Sequence, residues 1–273
     1  MMRICRFGLA SDAVEGPRLG LIDAAGMIRD VTGATGGLPD LRWPVPPGDH
    51  LVANLSRLRG PIEALARRAP AYARDEVALL SPVANPGKIV CATVLDRPEL
   101  SGKVASTIAG EGDGFRLRGK ARATRHEPAL GIVIGRPCAD LAEGTALDHV
   151  AGYCGVLDTS VEADGALLPG ASLEACVTLG PWLVTTDEIA DPAGLAFRLS
   201  VNGEPRGKGA VLDGPFGVAR LVAFASSVMP LHPGDLLMVG PGRGVTARGG
   251  DLVALEIGQL GRLEVAVLSP ATA

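Results

Sequence analysis

No long basic run occurs in this 273-residue chain, and aromatic side chains make up only 3% of it. Twenty-six Lys and Arg stand against 30 Asp and Glu, giving a formal charge of −4, and two Trp and two Tyr leave little to stack on bases. Nucleic acid is therefore not an expected partner. Long apolar runs are also missing. None approaches the roughly 20 residues that span a bilayer, so no membrane partner is expected. The opening "MMRICRFGLASDAVEG" meets Asp12 and Glu15 before any apolar stretch of signal-peptide length, which leads to the expectation of a soluble, cytoplasmic protein.

The five cysteines (Cys5, Cys91, Cys138, Cys154, Cys176) are odd in number and contain no CxxC pair, so neither a disulfide framework nor a zinc knuckle is expected. His50, His126, His149 and His232 form no HxH or HExxH, and any metal would have to be held by oxygen. The glycine-rich pieces "GEGDG" (110–114) and "GPGRGV" (240–245) fit neither a P-loop nor a dinucleotide fingerprint, so no nucleotide cofactor is expected. The second cluster still matters, because glycine lets backbone approach a ligand closely.

What is present is a chain with 47% hydrophobic residues, enough for a sizeable core. Residues 1–36 alternate short apolar runs with turns, as in a small meander of strands. "LVANLSRLRGPIEALARRA" has helical spacing, with Pro61 expected near a helix start. A Pro-rich linker, "LLSPVANPGK", sets an expected boundary between a small N-terminal domain, residues 1–80, and a larger one, residues 81–273. Beyond it the pattern is mostly strand. "VNGE" carries an Asn-Gly pair suited to a type I′ hairpin, and "GVARLVAFASSV" (217–228) reads as a helix with Leu221, Val222, Ala225 and Val228 near one face. The fold class is α+β, mainly β.

The order of motifs from residue 86 to 267 resembles the catalytic domain of the fumarylacetoacetate hydrolase (FAH) family: "PGKIVC", "HEPALGIVIGRP", "ALDHVAGYCGVLDTS", "LGPWLVTTDEIADPAGL", "LSVNGEPR", "LHPGDLLMVGPGRGV" and "GDLVALEIGQLGRLEVAV". The resemblance implies a β-roll C-terminal domain behind a small β-rich N-terminal one, a homodimer, and a small-molecule substrate. It also implies a site for Mg²⁺ or Mn²⁺ built on Glu-x-Glu and a facing Asp. Residues two apart on a strand share a face, which is why that spacing gathers hard oxygen ligands. Here Glu127 and Asp158 match as metal ligands, but Ala129 stands where the second glutamate is expected, so metal binding should be weak or absent. His126, next to Glu127, should point to the opposite face.

Other departures follow the same pattern. Glu99 replaces the His of the family's "NYxxH", and Ala171 and Glu174 fall where the family has Lys and Asp. Gly207 and Val211 replace polar residues, and Val239 and Pro241 replace hydroxyls. The resemblance thus nominates Glu99, Glu127, Asp158 and Glu174 as catalytic carboxylates. Val239, Gly240, Pro241 and Arg243 are nominated as substrate-binding, with Arg243 suited to gripping a carboxylate. Two functions of different kinds remain open. One is a diverged enzyme using carboxylate acid/base chemistry on an enolisable carbonyl or 2-oxo acid, as a tautomerase, decarboxylase, hydratase, cyclase or C–C hydrolase. The other is a non-catalytic protein of the same fold that binds a small molecule or supports a partner subunit.

Overall fold

The computed structural model describes residues 2–9, 16–94, 98–118, 121, 123–163, 166–168, 176–189 and 191–270. Two sheets dominate. The ten strands of the main path of the larger sheet run in the order Ala71–Tyr72, Ile28–Asp30, Arg18–Ile22, Arg3–Gly8, Val177–Thr185, Val150–Ala163, Ala123–Ile134, Leu236–Val239, Ile89–Val94 and Pro98–Lys103. The smaller sheet orders Glu204–Ala210, Ala196–Val201, Leu252–Ile257, Gly261–Leu268 and Phe115–Arg116. The sequence-based reading as mainly β with a few helices holds. The strands expected in the N-terminal meander, Arg3–Gly8, Arg18–Ile22 and Ile28–Asp30, join the large sheet, where Arg3 and Ile4 pair with Val184 and Leu183. No described helix is long and apolar enough to cross a membrane.

One antiparallel pair of strands, Ala123–Ile134 with Val150–Ala163, organises the molecule. Because side chains alternate, the pair has two working faces. On one face His126 lies wholly buried between Thr124 Oγ1 at 2.7 Å and Thr159 Oγ1 at 3.0 Å, with Phe115 of the smaller sheet edge-on at 6.5 Å. On the other face stand Arg125, Glu127 and Ala129, opposite Ser160, Asp158 and Val156. The expected opposition of His126 and Glu127 is therefore observed.

Buried aspartates fix the linker that leads into the site. Asp49, 3% exposed, accepts from Leu51 and Val52 N–H at a helix start and from Ala84 and Asn85 N–H in the linker. Asp235, 1% exposed, accepts from the N–H groups of Lys88 and His232 and pairs with Lys88 Nζ at 2.8 Å. The strand Ile89–Val94 emerges from this tether parallel to Leu236–Val239.

Two helical details differ from expectation. Pro61 does not start a helix but lies inside Leu55–Ala66, which follows the short helix His50–Ala53 capped by Asp49. The apolar spacing located the helix, while the N-terminal preference of proline misplaced its start. Val228 ends the helix Val218–Val228 at 58% exposure, so the buried stripe is Val218, Leu221, Val222 and Ala225. The Asn-Gly hairpin forms as read, with Asn202 and Gly203 at φ 52° and 80°. All five cysteines are free thiols.

Candidate active site

The odd-numbered face of Ala123–Ile134 opens on a cavity of about 230 Å³ whose walls include Glu127, Ala129, Asp158, Asp213, Val239 and Gly240. Glu127 and Asp158 are direct cross-strand partners, a position in which like charges repel. The fold answers with two cations. Arg125, two residues from Glu127 on the same face, places Nε 2.8 Å from Glu127 Oε1, with both side chains about one-third exposed. Lys103 Nζ donates to Asp158 Oδ1, and these side chains are only 9% and 22% exposed.

The Lys103 contact reveals the shape of the sheet. Lys103 ends the edge strand, and the strands Ile89–Val94, Leu236–Val239 and Ala123–Ile134 lie between it and the strand of Asp158. Four strand steps of about 4.8 Å would separate them by about 19 Å in a flat sheet. Their hydrogen bond requires the sheet to roll up, and the cavity is the inside of that roll. Burial acts to lower the Lys103 pKa, but the charge and hydrogen bond of Asp158 outweigh it and hold the ammonium above its ordinary value. Burial raises the Asp158 carboxyl above the ordinary aspartate range. Lys103 offsets part of that shift, and the like charge of Glu127 adds to it.

The nominated residues do not all converge. Glu127, Asp158, Val239, Gly240 and Pro241 line the cavity. Glu99 is exposed and pairs with Thr93, a cavity residue, which puts it on the cavity side of the edge strand but outside the lining. Arg243 lies at 71% exposure with Nη2 2.9 Å from Asp213 Oδ2, so its partner and its neighbour Gly242 line the cavity while the guanidinium faces outward. Glu174 and Ala171 lie outside the described residues.

Sequence reasoning missed Lys103 and Asp213. Nothing in spacing links Lys103 to a strand 55 residues away, and Asp213 follows a hairpin in a stretch without a motif. Cys91 also lines the cavity, but burial pushes its thiol up to about 11, which removes it as a nucleophile near neutral pH.

The glycines of "GPGRGV" have a structural purpose. A Cβ on Gly240 would stand 2.3 Å from the Pro128 carbonyl oxygen, and one on Gly244 would stand 2.6 Å from the His126 carbonyl oxygen and 2.7 Å from Glu127 Cγ. These glycines let the loop lie directly on the strand that carries Glu127.

Among the described residues no three of His, Cys, Asp and Glu gather as a metal-holding group. Glu127 and Asp158 each already pair with a cation, and the buried Ala129 occupies the position of a third oxygen on their face. This donor set does not fit Mg²⁺ or Mn²⁺, which ask for several hard oxygens and an excess of negative charge. What it offers instead is an anchored ammonium beside a carboxylate that water reaches.

Comparison with known proteins agrees with this architecture. The family model described as fumarylacetoacetate (FAA) hydrolase C-terminal matches residues 78–268. Maleylpyruvate hydrolase of Aquipseudomonas alcaligenes is 36% identical over 98% of this chain and 100% of its own length. The crystal structure of maleylpyruvate hydrolase from Sphingobium sp. SYK-6 in complex with manganese(II) ion and pyruvate superposes with a TM-score of 0.83 at 31% identity, covering 98% of this chain and 100% of that one. The 2-hydroxyhepta-2,4-diene-1,7-dioate isomerase of Mycobacterium marinum gives a TM-score of 0.71 at 25% identity over the whole of both chains. A match that contains every described cavity wall, supported by relatives aligned end to end, makes this chain a member of the fumarylacetoacetate hydrolase family.

Proposed function

We propose that this protein is an enzyme that cleaves the C–C bond of a small acylpyruvate-type 2-oxo acid and releases pyruvate or a close analogue of it. The observation that carries the reading is the facing of Glu127 and Asp158 in the wall of one small cavity, with the Lys103 ammonium bonded to Asp158 from behind that wall. Similarity over nearly the full chain to two maleylpyruvate hydrolases, one of them solved with pyruvate, supports the substrate class. A volume of about 230 Å³ suits a small acid.

In this reading Glu127 takes a proton from water, and the oxygen bonds to the acyl carbonyl carbon. The C–C bond to the pyruvyl methylene then breaks, and its electron pair is held as the enolate of pyruvate. Lys103 donates to the enolate oxygen, a cation placed in advance where charge develops. Glu127 returns the proton to the methylene carbon, giving pyruvate and the free acid. Asp158 is a positioning residue that holds Lys103 by its ion pair. Glu99, on the open side of the cavity, and Glu174 are further acid/base candidates, Arg243 is a candidate for a substrate carboxylate arriving from outside, and the active unit is a homodimer.

The test is to incubate the purified protein with maleylpyruvate and a panel of acylpyruvates and follow pyruvate by a lactate dehydrogenase coupled assay. Pyruvate release lost in Glu127→Gln and Asp158→Asn is expected. A folded protein that binds these acids without turning them over would instead establish the non-catalytic reading.

A further inference from the structure

Two carboxylates of the cavity wall are fixed opposite one another, and their charge is balanced by cationic side chains that pair with them from outside the lining. Glu127 and Asp158 contribute two negative charges, and Arg125 and Lys103 contribute two positive ones, each within ion-pairing distance of its partner. The next pair outward, Asp213 with Arg243, is balanced in the same way. A divalent ion at Asp158 would have to share that carboxylate with an ammonium already bonded to it, or drive the ammonium away. Lys103, only 9% exposed and anchored at the end of its strand, would lose its partner without gaining free access to water. The third position on the same face is a buried methyl, Ala129, which supplies neither charge nor oxygen.

We infer that the resident cation of this site is the Lys103 ammonium itself, and that it replaces a divalent metal both in neutralising Asp158 and in binding the oxyanion of the substrate. The inference rests on the reaction proposed above for the second of these roles only. The ammonium, with one hydrogen on Asp158, keeps two donors for substrate oxygens, whereas a metal would take those oxygens into its own coordination shell.

Electron paramagnetic resonance of Mn²⁺ added to the chelator-treated full chain tests this without reference to activity. The wild type should leave the free Mn²⁺ signal undiminished. Lys103→Met combined with Ala129→Glu, which removes the ammonium and supplies the third carboxylate, should deplete it by about one ion per chain. Lys103→Gln with Ala129→Glu serves as a second version should the Met variant misfold, and circular dichroism identifies which variant is folded. Depletion of the signal by the wild type would overturn the inference, and so would a folded double variant that binds no better than the wild type. The two proposals also fail separately. Turnover that requires Mn²⁺ would remove this inference and leave the reaction in place, whereas absence of turnover in a chain that ignores Mn²⁺ would remove the reaction and leave the cation assignment in place.

Discussion

Replacing Lys103 by Met should leave Asp158 as a carboxylate inside the roll with no cation. Removal of one partner from a fully buried ion pair costs about 3–5 kcal/mol. Asp158 keeps 22% of its side-chain surface and reaches the cavity, so solvent screening lowers the expected loss to about 2–3 kcal/mol. Removing both charges, in Lys103→Met/Asp158→Asn, should cost only about 1 kcal/mol, because no unpaired charge remains. The double-mutant cycle should then show a coupling of at least about 1.5 kcal/mol. The sign with pH follows from the raised Asp158 pKa. The folded state holds that proton more tightly than the unfolded chain does, and loss of the Lys103 charge raises the folded value further. The Lys103→Met deficit should be full at pH 7 and shrink as pH falls through the folded pKa toward the ordinary aspartate value. Urea denaturation at several pH values, with unchanged m, measures these two variants and Asp158→Asn. Single-variant losses that add within about 0.5 kcal/mol would refute the ion pair as described.

Three further outcomes follow from the same architecture. His126, whose pKa burial lowers from 6.5 to about 4, is neutral in the fold and protonates in the unfolded chain as pH drops below 6.5. Stability should therefore fall by about 2 kcal/mol between pH 6.5 and 5, and a flat urea midpoint over that range would contradict it. Gly244→Ala should cost about 2–3 kcal/mol and displace Glu127, because its Cβ meets backbone and the Glu127 side chain inside 3 Å; thermal melting and the coupled assay should fall together. Glu127→Gln, at an exposed edge of the cavity, should change stability by less than about 1 kcal/mol while lowering kcat at least about 100-fold, read from steady-state kinetics.

The strands, the Asn202-Gly203 hairpin and the Val218–Val228 helix were legible because period-two and period-3.6 patterns and turn chemistry are local. The facing of Glu127 and Asp158 was legible only through resemblance to a family, since the register that opposes them is set by strands meeting across the sheet. Lys103 was not legible at all. Its strand, "PELSGK", is short and polar, and it reaches Asp158 only because four intervening steps of sheet roll into a closed wall. The loop glycines were noticed as backbone access for a ligand; Gly240 and Gly242 line the cavity, and Gly240 and Gly244 also let the loop lie on the Glu127 strand. Arg243 was nominated from its position between glycines, but sequence gave no sign that Asp213 would draw it outward.

The most direct test of the account is the rate of pyruvate release from maleylpyruvate by chelator-treated protein in the continued presence of chelator. The rate should equal that of untreated protein, be unchanged by added Mn²⁺, and be lost in Lys103→Met. No release under chelator, with recovery on adding Mn²⁺, would contradict it.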